Sequence, residues 1–139
     1  MILKRPAIVL DKHPRGESFQ AVATYIPIRT WRGVFKSFGL SKQVEKQLKQ
    51  TPGIIAYSLA VNPLRKQFWT YSVWTDLSSM ATFSKTEPHA GAAGLYDSLA
   101  AGGSAFVEWK TPDARLRWPE AFEHLKQPSF TRGAPGVAD

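Results

Sequence analysis

The chain has 139 residues, of which 43% are hydrophobic and 12% aromatic, so it can form one compact core and is too short for two ordinary domains. Its formal net charge of +7 is compatible with an anionic partner, although charge alone does not choose among nucleic acid, acidic lipid and a small anion. The absence of cysteine excludes disulfides and thiolate metal sites, and it favours a reducing, cytoplasmic setting.

The first third of the chain predicts an arm, a strand and a long helix. Residues 1–16 contain only one short apolar run, too short for a signal peptide or a membrane span, so we expect a soluble protein with no membrane partner. Residues 18–28 are dense in β-branched and aromatic side chains and predict the first core strand, which Pro27 ends. Thr30 is suited to cap an amphipathic helix that reaches residue 50. The apolar stripe of this helix is expected to begin with Trp31, Val34, Phe35 and Phe38 and to continue with Leu40, Val44 and Leu48.

The middle of the chain predicts a β-hairpin followed by a helix and a last strand. Residues 53–62 and 66–74 are strand-like runs joined by a short turn that contains proline. Apolar side chains lie on both faces of the second run, so we expect a central strand covered on both sides. A helix should follow at once and restart at Pro88, and residues 104–110 alternate in the manner of a final strand.

The predicted order of elements is strand, helix, strand, strand, helix, strand. This order is typical of the ferredoxin-like β-α-β-β-α-β fold, an α+β architecture with an antiparallel sheet and both helices on one face. We expect a single domain over residues 1–139, with its core at about 18–110, an N-terminal arm at 1–16 and a C-terminal tail at 111–139 that has one helical turn. The second face of such a sheet would be bare and apolar, which predicts a homodimer.

Three segments in the middle of the chain resemble the dimeric α/β-barrel superfamily and, within it, the antibiotic-biosynthesis-monooxygenase-like proteins. They are TPGIIAYSL, FWTYSVWTD, and an M-x-x-F pattern followed by Pro88 and His89. The resemblance implies a homodimer whose two sheets close into a barrel, with a small-molecule pocket between each sheet and its own helices. The haem-degrading branch of the superfamily uses an Asn on the first strand and a Trp and a His in the second helix. Here the only Asn is Asn62 in the hairpin turn, Phe83 stands where that Trp is expected, and Ala93 lies ten residues beyond, so the residues disfavour haem degradation.

The candidate site residues each have a second interpretation. His89 would be the catalytic base or hydrogen-bond donor, but an imidazole at a helix start is often simply exposed. Arg29 could orient an anionic ligand or face water. An aromatic ligand cavity is expected from Trp69, Trp74 and Phe83, although tryptophan in a strand is more often ordinary core.

The remaining patterns exclude several function classes. The three histidines have no metal-ligand spacing, no serine lies in a nucleophile elbow, and no glycine-rich loop connects a strand to a helix, so we expect no metal site, no hydrolase triad and no nucleotide cradle. The sequence has no recognisable nucleic-acid motif, so the charge by itself does not predict a nucleic-acid partner. The sequence therefore predicts a cofactor-independent monooxygenase-like protein acting on an aromatic or polyketide-like molecule. The alternative is a non-catalytic protein that binds haem or another hydrophobic ligand.

Overall fold

The computed structural model describes residues 2–85 and 100–132, which form one antiparallel sheet and three helices. The strands are β1 (Leu3–Lys4), β2 (Ile8–Val9), β3 (Phe19–Pro27), β4 (Ile54–Asn62), β5 (Gln67–Trp74), β6 (Ser104–Thr111) and β7 (Phe130–Arg132). The helices are α1 (Trp31–Leu48), α2 (Leu77–Lys85) and α3 (Trp118–Leu125). Among the described helices, none combines the length and the hydropathy that crossing a membrane would need.

The sheet has the strand order β1-β4-β5-β3-β6-β7, and β2 also pairs with β4. Its four long strands, β4-β5-β3-β6, have the antiparallel order of a ferredoxin-like fold, so the predicted α+β class is confirmed. Helices α1 and α2 pack on the same face of the sheet, as expected: Val44 of α1 and Phe83 of α2 meet Trp74 of β5 in one cluster. We call this face the α1–α2 face.

The N-terminal arm covers the outer edge of β4. Strands β1 and β2 pair with β4 there, and the Ser58 hydroxyl donates to the backbone carbonyl of Arg5 at 2.8 Å. The Arg5 guanidinium donates to both carboxylate oxygens of Glu45 on α1, at 3.0 and 3.1 Å. The Tyr57 hydroxyl donates to the same carboxylate at 2.7 Å. Glu45 thus joins the arm, the edge strand and α1.

Acidification should weaken this junction. The pKa of Glu45 lies below its usual value, chiefly because the Arg5 guanidinium donates to the carboxylate. Since the folded-state pKa is the lower one, the stabilisation is complete above the unfolded-state value of about 4.3 and is lost as the pH falls through the folded-state value. We expect Glu45→Gln to flatten the decline of the unfolding free energy below that pH, measured by urea titration at several pH values. The control is Glu123→Gln, which removes an exposed carboxylate paired with Lys126 and should leave the decline as steep as in the wild type.

Helix α1 begins as predicted, but in its first half the side that faces the sheet differs in part from the predicted one. The Thr30 hydroxyl accepts from the backbone N–H of Gly33 at 3.0 Å, which confirms the N-cap. The buried side carries Gly33, Val34, Ser37 and Leu40. Ser37 tolerates burial because its hydroxyl donates to the carbonyl of Gly33 at 2.8 Å. The expected stripe was therefore wrong for Trp31 and Phe35, which are exposed, whereas Leu40 is buried and Val44 and Leu48 pack against the core as expected. Phe38 is partly on both sides, since it is exposed but its ring meets Phe68 of β5.

Helix α3 covers the second face of the sheet, which we call the α3 face. Its Trp118 and Ala121 are buried in the largest core cluster, and the Trp118 indole N–H donates to the Ser58 hydroxyl at 3.1 Å. The helical turn expected in the C-terminal tail is therefore an eight-residue helix that contributes to the core. The homodimer prediction depended on this face being bare, and α3 lies where a partner sheet was expected. The dimer itself stays a prediction.

Candidate functional site

Alternation along β5 sorts the predicted ligand residues onto opposite faces of the sheet. Trp69, Tyr71 and Val73 belong to the α3-face cluster, whereas Phe68 and Trp74 belong to the α1–α2 face. Trp69 packs against Tyr25, with ring centroids 5.4 Å apart, and against Phe122 of α3 at 5.7 Å. The expectation that Trp69 and Trp74 line one cavity is therefore corrected, because five residues along a strand place side chains on opposite sides.

Trp74 and Phe83 do come together on the α1–α2 face. Their ring centroids lie 5.3 Å apart, and Trp74 is only 1% exposed. The Trp74 indole N–H donates to the Ser72 hydroxyl at 2.9 Å. Because both rings are buried, they form one apolar wall at this end of the face. The Trp74 indole also fixes the position of the Ser72 hydroxyl through its hydrogen bond.

Two apolar clusters occupy the α1–α2 face, one at each end. The first surrounds Trp74 and includes Val22 and Phe83, and the second surrounds Phe68 and includes Ile28 and Val34. Between the clusters lies a polar pair, Thr24 and Thr70, which are direct cross-strand partners.

Solvent reaches the polar pair although it lies on the two central strands. The Thr24 and Thr70 hydroxyls are in hydrogen-bond contact, and both residues are partly exposed, as is Ser72 next to them on the same face. Leu59 and Phe106, the neighbours of the pair on β4 and β6, are also partly exposed. We call Thr24, Thr70 and Ser72 the hydroxyl floor. It is the candidate site, because a few hydrogen-bonding groups between apolar walls are what an aromatic ligand with one or two oxygens requires.

The hydroxyl floor can both donate and accept hydrogen bonds. Ser72 accepts from Trp74, so its own O–H can be directed toward a ligand, and one hydroxyl of the threonine pair can donate outward while it accepts from the other. Neutral hydroxyls can stabilise either a carbonyl oxygen or the anion that forms from it.

Arg29 and His89 are not part of this described geometry. Arg29 is exposed beyond the end of β3, and its Cα lies roughly 16 Å along the chain from Thr24 at the rise of an extended strand. His89 lies outside the described residues, so its catalytic role stays a prediction.

The other two histidines lie away from the floor. His13 is exposed in the N-terminal arm, and His124 stacks on Trp109 of the α3 face at a centroid distance of 4.1 Å. Within residues 2–85 and 100–132 no three His, Asp or Glu side chains gather as a metal site would require.

Sequence reasoning overlooked the hydroxyl floor. The available signal was that Thr70 and Ser72 share a face with Phe68 and Trp74 in a strand expected to be covered on both sides. A polar side chain on a covered face has to be hydrogen-bonded or to meet solvent, and here both occur.

Comparison with known proteins gives a result at the level of the fold. No protein-family model and no curated protein matches the sequence. A conserved protein from Bacteroides thetaiotaomicron, described as a possible oxidoreductase, has a TM-score of 0.60 at 18% identity, over 69% of this chain and 100% of that one. An antibiotic biosynthesis monooxygenase has a TM-score of 0.60 at 18% identity, over 70% of this chain and 99% of that one. An anthrone oxidase-like protein has a TM-score of 0.55 at 16% identity, over 75% of this chain and 51% of that one. The chain has the fold of the antibiotic-biosynthesis-monooxygenase-like proteins, as the sequence resemblance predicted.

Proposed function

We propose that this chain is a small monooxygenase-like protein that oxidises an aromatic or polyketide-like molecule on its α1–α2 face without a cofactor. The observation that carries the proposal is the hydroxyl floor, a solvent-accessible row of hydroxyls at the centre of the sheet between two apolar clusters. Further support comes from the structural relatives, of which one is named a monooxygenase, one a possible oxidoreductase and one an anthrone oxidase-like protein.

The proposed reaction requires only a base, hydrogen-bond donors and an apolar environment from the protein. A base, for which His89 is the candidate, removes a proton from a CH₂ group beside a ring, and the resulting enolate transfers one electron to O₂. The two radicals combine through a new C–O bond to a peroxide anion, which takes the proton back from the protonated base. The hydroperoxide then loses water as its O–O bond breaks and leaves a carbonyl, so that CH₂ and O₂ become C=O and H₂O. The hydroxyl floor would stabilise the enolate oxygen, and the apolar clusters would keep bulk water from the anion.

Removal of the floor hydroxyls should impair turnover more than it impairs folding. With anthrone as the probe, a tricyclic aromatic ketone with such a CH₂ group, we expect Thr70→Val or Ser72→Ala to lower kcat/KM by about a hundred-fold, the usual effect of deleting one donor to a developing oxyanion. Oxygen consumption and quinone absorbance measure this directly. The matched control is Tyr25→Phe, which removes a hydroxyl from the α3 face of β3 and should keep wild-type turnover.

Other results would reject the proposal. If both floor variants turn over the probe as the wild type does, the floor is not the site, and if His89→Ala does so, the base is a different group. A Soret band that grows on addition of haemin, without oxygen consumption, would favour the alternative of a haem-binding protein. The predicted homodimer is tested separately, by sedimentation of the wild-type chain at micromolar concentration.

A further inference from the structure

An aromatic stripe faces solvent along the first half of α1. Trp31 is 47% exposed, Phe35 72% and Phe38 43%. Their spacing of four and three residues places them on one side of the helix. Leu64, in the turn between β4 and β5, is 80% exposed. We call these four residues the aromatic patch, and large apolar side chains grouped on a surface indicate a binding site.

The helix and the turn form one continuous surface. The Lys66 ammonium lies 5.8 Å from the centre of the Trp31 ring, and the Phe38 ring meets Phe68 of β5 edge-on at 5.2 Å. The backbone N–H of Ile28 donates to the carbonyl of Lys66 at 2.7 Å, which ties the turn to the segment that leads into α1. Leu64 therefore belongs to the same end of the molecule as Trp31.

Basic residues predominate in the sequence on either side of the aromatic patch. Between Glu17 and Asp76 the sequence has eight lysines and arginines and a single acid, Glu45, whose two oxygens both accept from Arg5. The cations within two residues of the patch in sequence are Arg29, Arg32, Lys36, Arg65 and Lys66. In a symmetric contact between two copies, these charges would face one another, so the occupant that fits the patch is anionic.

We propose that the aromatic patch attaches the protein to the surface of an anionic lipid membrane. Tryptophan and phenylalanine favour the boundary between headgroups and acyl chains, and lysine and arginine on the same surface bind the lipid phosphates. A nucleic acid would use stacking on aromatic faces, and Leu64, the most exposed apolar residue of the patch, offers none. The sequence predicted no membrane partner because it has no spanning segment, but surface attachment needs none.

Co-sedimentation of the full chain with lipid vesicles tests the proposal. Binding is expected to vesicles that contain about one third phosphatidylglycerol in phosphatidylcholine, and not to phosphatidylcholine alone, and it should weaken with salt. Phe35→Ser or Leu64→Ser should reduce the partition coefficient roughly ten-fold. Arg32→Gln or Lys36→Gln should reduce it about five-fold each.

Two control variants lie at the other end of the sheet. Leu77 is 49% exposed at the start of α2, and Lys110 is exposed on β6, opposite Gln20. Leu77→Ser and Lys110→Gln should bind vesicles as the wild type does. We expect circular dichroism to show that every variant keeps the fold, because Phe35 and Leu64 are highly exposed.

Tryptophan fluorescence gives a readout that a purely structural role would not change. Trp31 is far more exposed than Trp69, Trp74 and Trp118, which are each at most 8% exposed. Lipids brominated in the acyl chain should quench the wild-type emission, and Trp31→Phe should remove most of that quenching while binding persists. The proposal is overturned if anionic vesicles do not bind, if Leu77→Ser weakens binding as much as Phe35→Ser, or if Phe35→Ser converts a dimer into a monomer in sedimentation.

Discussion

Replacement of Trp118 by alanine should lower the free energy of unfolding by about 3–5 kcal/mol, as is usual when a large buried aromatic side chain is deleted. Trp118 is buried where α3 meets the sheet, with its ring 5.4 Å from Tyr71 and 5.4 Å from Phe122. Its indole N–H also donates to the buried Ser58 hydroxyl at 3.1 Å. The alanine variant loses the ring contacts and the hydrogen bond together. Urea unfolding followed by circular dichroism gives the change.

Trp118→Phe separates the two contributions. It keeps a ring in the core and loses only the hydrogen bond and part of the volume, so we expect a loss of about 1–2 kcal/mol. If Trp118→Ala unfolds at the same urea concentration as the wild type, α3 does not hold the α3 face in the way described.

The position of α3 also affects the argument for a homodimer. The sequence predicted a partner sheet because large apolar side chains on both faces of β5 need cover, and the need is real: Trp69 and Tyr71 are buried. The cover comes from Trp118 and Phe122 of the same chain. An apolar pattern shows that a surface must be covered, but it does not identify the covering segment.

The core strands could be predicted closely. The expected strand at 18–28 is observed as Phe19–Pro27, and the hairpin strand expected at 66–74 is observed as Gln67–Trp74. These strands could be predicted because their signals are local: the alternation of side chains with period two, a proline at the end of β3, and the flanking turns.

The side of α1 that faces the sheet could be predicted only in part, because Val34 and Leu40 of the expected stripe are buried but Phe35 is exposed. Two adjacent stripes of the helix carry apolar residues, and the one that contains Val34, Ser37 and Leu40 packs inward. Ser37 can be buried because its hydroxyl donates to the carbonyl of Gly33 in the same helix, and a hydropathy pattern does not show such a bond. The Thr24–Thr70 pair depends on the register between β3 and β5, which is a property of the sheet and of neither strand alone.

Comparison of two single variants, Trp74→Ala and Trp69→Ala, should show which face of the sheet is the functional one. Both side chains are buried on β5, at 1% and 7% exposure, and each deletion should cost about 3–5 kcal/mol of unfolding free energy. Only Trp74 contacts Phe83 and donates to Ser72, so its removal opens a cavity beside the hydroxyl floor and frees the Ser72 hydroxyl to turn away from a ligand.

We therefore expect similar losses of stability from the two variants and unequal losses of function. At a temperature where both remain folded, Trp74→Ala should lower kcat/KM for the probe substrate by roughly ten-fold or more, since misplacing one donor removes part of its effect on the developing anion. Trp69→Ala, which disturbs only the side toward α3, should stay close to the wild type. If instead Trp69→Ala abolishes turnover and Trp74→Ala does not, the ligand binds on the α3 face, and α3 would then have to move to admit it.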